Sequence, residues 1–382
     1  MIDFSLTEEQ LAIQKLARDF AQREIVPVAA EYDRSGDYPD EIVRKAFKAD
    51  LVYGVIPEAY GGSGLDALDQ LVIAEELSAG CAGIGSCIAI NSLAAIPLIY
   101  FGSEEQKQTL LTEICRQEKK MALCVTEPGA GSDVASIATT AKKEAGKYII
   151  SGNKTFITNG GVADYYIVFA SVDRSLGHKG ISAFFVPRNQ PGVSVGKKED
   201  KMGQRAASTT DVIFDQVAIP EEYRIGEEGQ GFRIIMQTFN HSRPGVAASA
   251  VGVARSALDY ALQYAAEREQ FGLPILMHQA VMFMLADMAK DIEAGRLLAW
   301  QAAWKGSRGL DNSKEAAIAK VFCGDMAMKV TTDAVQVFGG YGYIKDYPVE
   351  KLMRDAKVFQ IYEGTAQIQR LLIGRSLFKA YF

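Results

Sequence analysis

The sequence predicts an α+β protein, mainly α, in which a helical segment, a β segment and a second helical segment follow one another. Three observations predict it. Apolar residues recur at helical spacing up to about residue 118, short β-branched and aromatic runs separated by turn residues fill 121–215, and the helical period returns after Gly231. The chain is therefore divided into an N-terminal helical domain, 1–118, a middle antiparallel β domain, 119–228, and a C-terminal four-helix bundle, 229–382. With 382 residues, 48% hydrophobic and 23% charged, it is long enough to bury a large core over two or three domains.

Taken in order, Thr7-Glu-Glu-Gln10 is a capping box, and Ile13, Leu16, Ala17, Phe20 and Ile25 follow at helical spacing. Pro39 opens a second helix that turns Ile42, Val43, Ala46 and Phe47 inward. "YGGSG" at Tyr60 to Gly64 is a loop. Leu77 to Ser103 carries no charged side chain and is long enough to cross a bilayer. Its glycines and serines, Asn91, Pro97 and the lack of flanking basic residues predict a buried core helix and no membrane span. "MALCVTEP", "KYIISGNKTFITNG", "YYIVFASV", "ISAFFVP" and "TTDVIFD" read as strands. Past "GEEGQG", helices are predicted near 231–268, 278–307, 314–338 and 364–379, and no repeat of solenoid period appears.

A net charge of −6 without a basic block argues against nucleic acid as a partner, because phosphate binding needs clustered Lys and Arg. The five cysteines form no CxxC pair and the three histidines are scattered, so no metal-ligand cluster is expected. Reduced thiols imply a reducing compartment. "MIDFSLTEEQ" starts a helix and lacks the features of a signal or transit peptide, which predicts a cytoplasmic protein or a mature mitochondrial matrix form.

Several motifs invite chemistry. "TEPGAGSD" at Thr126 to Asp133 lacks the third glycine of a dinucleotide fingerprint and is followed by a β segment; it reads as a turn whose N–H groups, with the hydroxyls of Thr126 and Ser132, can form a polar nest. Gly339 and Gly340 either end a helix or let a backbone approach a flat or anionic ligand. "FNHSRPG" puts Arg243 before a small-residue helix with Pro244 fixing the backbone, and the lone His241 has no triad partners. "FQIYEGTAQIQR" holds one carboxylate, Glu363, with no second charge from Val358 to Gln369. It is either a first-turn acid on a helix Gly364 to Phe378 or a base held in a dry pocket; these residues alone leave both open.

Read together, "CVTEPGAGSD", "FITNGG", "KMGQR", "SRPGVAA", "EREQFG", "DAVQVFGGYGY", "YPVEKLMRDAK" and "QIYEGTAQIQR" form an ordered set that resembles the acyl-CoA dehydrogenase family over essentially all 382 residues, closest to its medium-chain/short-chain branch. The resemblance implies a homotetrameric FAD flavoprotein. Such an enzyme oxidises an acyl-CoA thioester to the trans-2-enoyl-CoA and passes electrons to electron-transferring flavoprotein. It assigns Glu363 as the base that takes the α-proton while flavin N5 accepts the β-hydride, the thioester carbonyl being polarised by the flavin ribityl hydroxyl and the backbone N–H of the base.

By the same resemblance Thr126, Ser132, Phe156 and Thr158 hold the flavin, with Phe156 standing where Trp is common. Arg268, Phe271, Gln279, Gln336, Gly339 and Gly340 serve a neighbouring subunit's flavin, and Thr365 and Gln367 lie near its adenosine part. Ser132, Asn240 and Arg243 face CoA, Asn240 standing where Asp is common; Tyr362 and Gly364 line the pocket beside the base. Some relatives carry the base at the position of Ser242, and a serine cannot do that work. Ala89, Ile90 and Asn91 form the far wall, where medium-chain relatives tend to show Glu-Gly in place of Ala89-Ile90. A bulky Ile90 predicts a short-to-medium, branched or alicyclic acyl group, and the absence of a cation between Leu77 and Ser103 weighs against a dicarboxylyl-CoA such as glutaryl-CoA. Asn91 reads equally as a core amide or as a group orienting a ring or water. Two alternatives remain. An acyl-CoA oxidase returns electrons to oxygen but is usually longer beyond the last helix, whereas this chain stops at Phe382; the other is a non-catalytic scaffold of the same fold.

Overall fold

Thr7 caps the first helix as predicted: its Oγ1 accepts from the Gln10 N–H and the Gln10 side chain accepts from the Thr7 N–H, satisfying two orphan donors. The computed structural model describes residues 4–378. Seven helices come first: α1 (Glu8–Phe20), α2 (Ala29–Ser35), α3 (Asp40–Lys48), α4 (Ala67–Gly80), α5 (Ala82–Phe101), α6 (Glu104–Gln106) and α7 (Thr112–Arg116). Ala17, Phe20 and Ile25 are buried, but Leu16 is exposed; past Phe20 the helix widens into a π turn over Ala21–Ile25. Cys81 is extended and breaks the uncharged stretch 77–103 between α4 and α5. α5 is the one helix among the described residues long and apolar enough to cross a membrane; over half of its most apolar window is buried inside the protein.

Eight strands then build one sheet: β1 (Met121–Cys124), β2 (Thr140–Glu144), β3 (Lys147–Thr158), β4 (Tyr165–Ser171), β5 (Ile181–Pro187), β6 (Val193–Lys198), β7 (Thr209–Pro220) and β8 (Arg224–Ile225). Its order is β6-β7-β3-β2-β4-β5-β8, with β1 on β4. The sheet is mixed rather than purely antiparallel: β1 and the first residue of β2 both run parallel to β4. β2 and β6 were not predicted, since "TAKKE" and "VSVGKK" carry lysines and bury little. β4 is buried on both faces; Ile167 and Phe169 pack toward the N-terminal helices while Tyr166, Val168 and Ala170 join the core of the other face.

Four long helices close the chain, α8 (Gly231–Glu267), α9 (Gln279–Ser307), α10 (Ser313–Phe338) and, after the short α11 (Val349–Ala356), α12 (Ala366–Phe378). Between α8 and α9 lies the small hairpin of β9 (Glu269–Gln270) and β10 (Leu273–Pro274). Alanines line the contacts of α8, α9 and α10, which lets the backbones approach closely. Where α8 crosses α4, a Cβ on Gly252 would sit 2.1 Å from the Glu75 carbonyl, so only glycine fits. At that crossing the buried Glu75 and Glu76 are met by Arg296, Arg255 and Arg18. Pro244 lies inside α8 rather than ahead of a helix. Lacking an N–H, it leaves the Asn240 carbonyl free, and Asn312 Nδ2 donates to that oxygen at 3.2 Å.

The loop 126–133 is anchored from below. Glu127 accepts from the Ala138 and Thr139 N–H groups at 2.6 and 3.0 Å and from Lys154 Nζ at 2.7 Å, and Lys154 is fully buried. Glu127→Ala should therefore leave a buried cation and two backbone donors unmet. A loss of about 3–5 kcal/mol is expected, read from the denaturant midpoint; a loss below about 1 kcal/mol would show that water replaces the carboxylate.

Candidate active site

Glu363 belongs to the chain just ahead of α12 and not to that helix. α12 starts at Ala366 and is capped by Thr365, whose Oγ1 accepts from the Ile368 N–H at 3.3 Å. Glu363 itself takes φ 55° and Gly364 φ 90°. The left-handed region costs a non-glycine residue about 1–3 kcal/mol, so it persists only where the surroundings over-determine it. Here they do. Arg243 Nε and Gln369 Nε2 each donate to the Glu363 carbonyl at 3.1 Å, and Gln369 Nε2 also reaches the Gly364 carbonyl at 3.0 Å. Lys320 Nζ donates to the same Gly364 carbonyl at 2.6 Å. A Cβ on Gly364 would lie 2.5 Å from Gln369 Nε2 and displace that amide, and the φ of 90° itself favours glycine.

The turn aims the Glu363 side chain into a cavity of about 390 Å³ walled by α4, α5 and the first half of α8, with Thr158 of β3 and Tyr362 beside it. Leu71, Leu77, Ile88, Ile90 and Ile96 make most of this wall apolar. Glu363 Oε2 accepts from Ser242 Oγ at 2.6 Å. Burial raises the Glu363 carboxyl above its ordinary range; the Ser242 hydroxyl, and then the charges of Arg243 and Lys320, oppose that rise. Burial also depresses Lys320, to about 8, against the pull of Glu363. The arrangement is a carboxylate of strengthened basicity facing an apolar space, which suits removal of a proton from a bound ligand. His241 also lines the cavity, stacked on Tyr100 with ring centroids 4.3 Å apart, and burial lowers its pKa.

The other predicted residues fall into separate places. Ala89 and Ile90 line the cavity, whereas Asn91 turns away from it. Asn91 is a satisfied core amide: Nδ2 donates to the Cys87 and Ile88 carbonyls, and Oδ1 accepts from the Met121 N–H at 2.9 Å, tying α5 to β1. Arg243 is only 3% exposed and bonds the Glu363 carbonyl and Asn240 Oδ1. It is thus buried behind the base instead of being displayed to a nucleotide, because a guanidinium in the interior needs acceptors on hand. Ser132 is exposed on the 126–133 loop and Thr126 half-buried beneath it. A β-bulge between Lys154 and Ile157 turns Phe156 outward at φ 56°, 65% exposed, two residues from the cavity residue Thr158. A strained, outward aromatic so near in sequence to an apolar cavity fits a flat ring system.

Arg268, Gly339 and Gly340 line a second pocket, of about 460 Å³, that shares no residue with the first. Nothing lies within 4 Å of a Cβ built on Gly339 or Gly340, so the surface there is open to a ligand. Phe271 sits at the tip of the β9–β10 hairpin at φ 54° and is 95% exposed; Gln279, Gln336 and Gln367 are exposed too.

Four contributors escape sequence reasoning. Ser242, dismissed as a possible base, is the hydroxyl that holds the base. Gln204, within "KMGQR", donates its amide to the Tyr362 phenol at 3.5 Å and accepts from Ser86 Oγ at 2.8 Å, from 158 residues away along the chain. Lys320 and Gln369 read as ordinary helix residues until the fold brings them under the turn.

Comparison with known proteins covers the whole chain. The family models for the N-terminal, middle and C-terminal domains of acyl-CoA dehydrogenase match residues 7–118, 122–217 and 229–378. An acyl-CoA dehydrogenase of Bacillus subtilis (strain 168) is 46% identical over 373 residues, 97% of this chain and 98% of the relative. The structure of butyryl-CoA dehydrogenase from Megasphaera elsdenii superposes with a TM-score of 0.97 at 43% identity, covering 99% of this chain and 100% of that one. A chain in a structure described as the electron transferring flavoprotein of Acidaminococcus fermentans gives 0.97 at 46% identity, covering 98% and 99%.

Ser242→Ala removes the donor that stabilises the ionised form of Glu363, so its titration should move to higher pH. Infrared difference spectra of the carboxylate band against pH, with Glu363→Gln as the blank, read this directly. An unmoved midpoint would mean that water takes over the bond.

Proposed function

This chain belongs to the acyl-CoA dehydrogenase family, and on that premise we propose that Glu363 removes the α-proton of a short-to-medium, branched or alicyclic acyl-CoA bound in the cavity of α4, α5 and α8. The protein is an FAD-dependent oxidoreductase. The observation that carries the assignment of the base is the carboxylate of Glu363, raised by burial, held by Ser242 at 2.6 Å and aimed into an apolar cavity. Desolvation strengthens it as a base and keeps water from the reacting carbons. Bound FAD supplies the acceptor for the two electrons that leave the β-carbon.

This chain's residues do the rest. The cavity walls orient the acyl group so that its α-carbon meets the carboxylate. The N–H of Glu363, presented by the left-handed turn, and Tyr362 beside it bound the thioester end. Thr126, Ser132, Phe156 and Thr158 would hold the flavin, Phe156 by covering an apolar ring edge and the three hydroxyls by hydrogen bonding. Ser132 and Asn240 would meet CoA. Arg268, Phe271, Gln279, Gln336, Gly339 and Gly340, set apart from the Glu363 cavity and open to solvent, would complete the flavin site of another subunit, with Thr365 and Gln367 near its adenosine. That reading requires a second subunit, for which we propose a homotetramer, and the exposed Phe271, Met277 and Phe283 supply apolar surface for its contacts.

The acyl preference rests on size. A cavity of about 390 Å³ lies toward the small end of ligand pockets, which run roughly 300–1,000 Å³, and Ile90 projects from its wall. Electron transfer to an electron-transferring flavoprotein is the matching outlet, in keeping with the name under which the Acidaminococcus fermentans structure is described.

Anaerobic titration with straight-chain, branched and alicyclic acyl-CoAs should bleach the flavin with one subset, and failure of every thioester would defeat the proposal. Glu363→Gln should slow that bleaching by about 10²–10⁴-fold with FAD still bound; wild-type rates would exclude it as the base. Ile90→Gly should extend the preference to longer chains, and an unchanged preference would remove Ile90 from the pocket wall.

A further inference from the structure

Beneath the Glu363–Gly364 turn lie two buried cations whose polar contacts are to carbonyl and amide oxygens. Arg243, 3% exposed, bonds the Glu363 carbonyl and Asn240 Oδ1; Lys320, 1% exposed, bonds the Gly364 carbonyl. Lysine is among the residues least often buried without a paired acid, because its charge loses hydration that one carbonyl cannot replace. A side chain placed there against that cost must answer another need. What it touches is the carbonyl next to a strained residue, and what it faces is that residue's carboxylate.

We infer that Lys320 is a positioning residue for the reaction: it pins the Gly364 carbonyl so that Glu363 keeps its left-handed backbone, and its charge holds the carboxylate ionised within an apolar wall. This rests on Glu363 being the base. The geometry separates two effects. Gln369 Nε2 shares the mechanical work, reaching both carbonyls at 3.1 and 3.0 Å, but it is neutral. Lys320 brings both a donor and a charge from α10, as Arg243 does from α8. The charged groups facing Lys320 are Glu363 from the turn, Arg243 from α8 and Asp325 from its own helix, and Asp325 is already paired with Arg370 of α12. Glu363 is thus the acid left for the Lys320 charge to act on.

Proton removal can be read without turnover. An acyl-CoA whose β-carbon bears no hydrogen, 3,3-dimethylbutyryl-CoA, cannot be oxidised, yet its α-hydrogens can exchange with deuterium from D₂O at the base. Exchange measured by mass spectrometry against pH on the FAD-bound protein reports on Glu363 alone. Lys320→Met should slow exchange by about tenfold to a hundredfold and move the acid limb of the profile to higher pH, since loss of a nearby positive charge raises a carboxyl. Lys320→Gln keeps a polar end for the carbonyl and should still show the displaced limb, which covers the case in which the methionine variant fails to fold. Lys320→Arg, which keeps donor and charge, should restore the limb. A wild-type rate and limb in Lys320→Met or Lys320→Gln would overturn the inference. No exchange by the wild-type protein would instead overturn the assignment of Glu363, and the two failures are therefore distinct.

Discussion

A carboxylate removed from water is stable only where donors and opposite charge are already in place around it, and the architecture of this protein is arranged about meeting that requirement at Glu363. The side chain is met by the hydroxyl of Ser242, its carbonyl by Arg243 and Gln369, and the next carbonyl, of Gly364, by Lys320. Those four residues come from α8, α10 and α12. The bundle must therefore be assembled before the acid has its surroundings, and the alanine-lined contacts that bring the helices close are part of the site at one remove. The backbone of the base shows the same dependence. A glutamate in the left-handed region is unfavourable by itself, and its carbonyl and that of Gly364 collect the hydrogen bonds that hold it there.

The cavity wall is set by different means. α5 is apolar on all sides because it packs against the N-terminal helices, the sheet and α8 and gives its remaining face to the cavity. Asn91 shows how such a helix tolerates a polar residue: its amide closes bonds to its own helix and to β1, so it locks the wall to the sheet instead of lining the cavity. Pro244 offers a parallel case in α8. Its missing N–H exposes the Asn240 carbonyl, and Asn312 answers, which joins the start of α10 to α8 close to Ser242 and Arg243. In both places a local irregularity becomes a cross-link near the site.

Much of this was legible from residue types. The capping box at Thr7, the helical period near 231–268 and the β-branched and aromatic run of β4 report local rules that burial reinforced. The isolation of Glu363 among uncharged residues marked it before any fold was known. The strands β2 and β6 were not legible because their lysines obey solvent exposure rather than strand propensity. The direction of β1 beside β4 was hidden as well, since pairing sense depends on connections across the sheet and not on either strand's composition.

The sequence by itself determined the order of helical and β segments, the family to which the chain belongs, and the singular acid near its C-terminus, because each is written in local spacing or in contiguous motifs. Only the tertiary structure decided what that acid meets. Ser242 and Lys320 lie 121 and 44 residues from the atoms they bond in the Glu363–Gly364 turn. Arg243 and Asn91 look alike in sequence whether they face a ligand or the core. Hydrogen bonds in a buried site are satisfied by whatever group the packing delivers, and packing is a property of the whole chain.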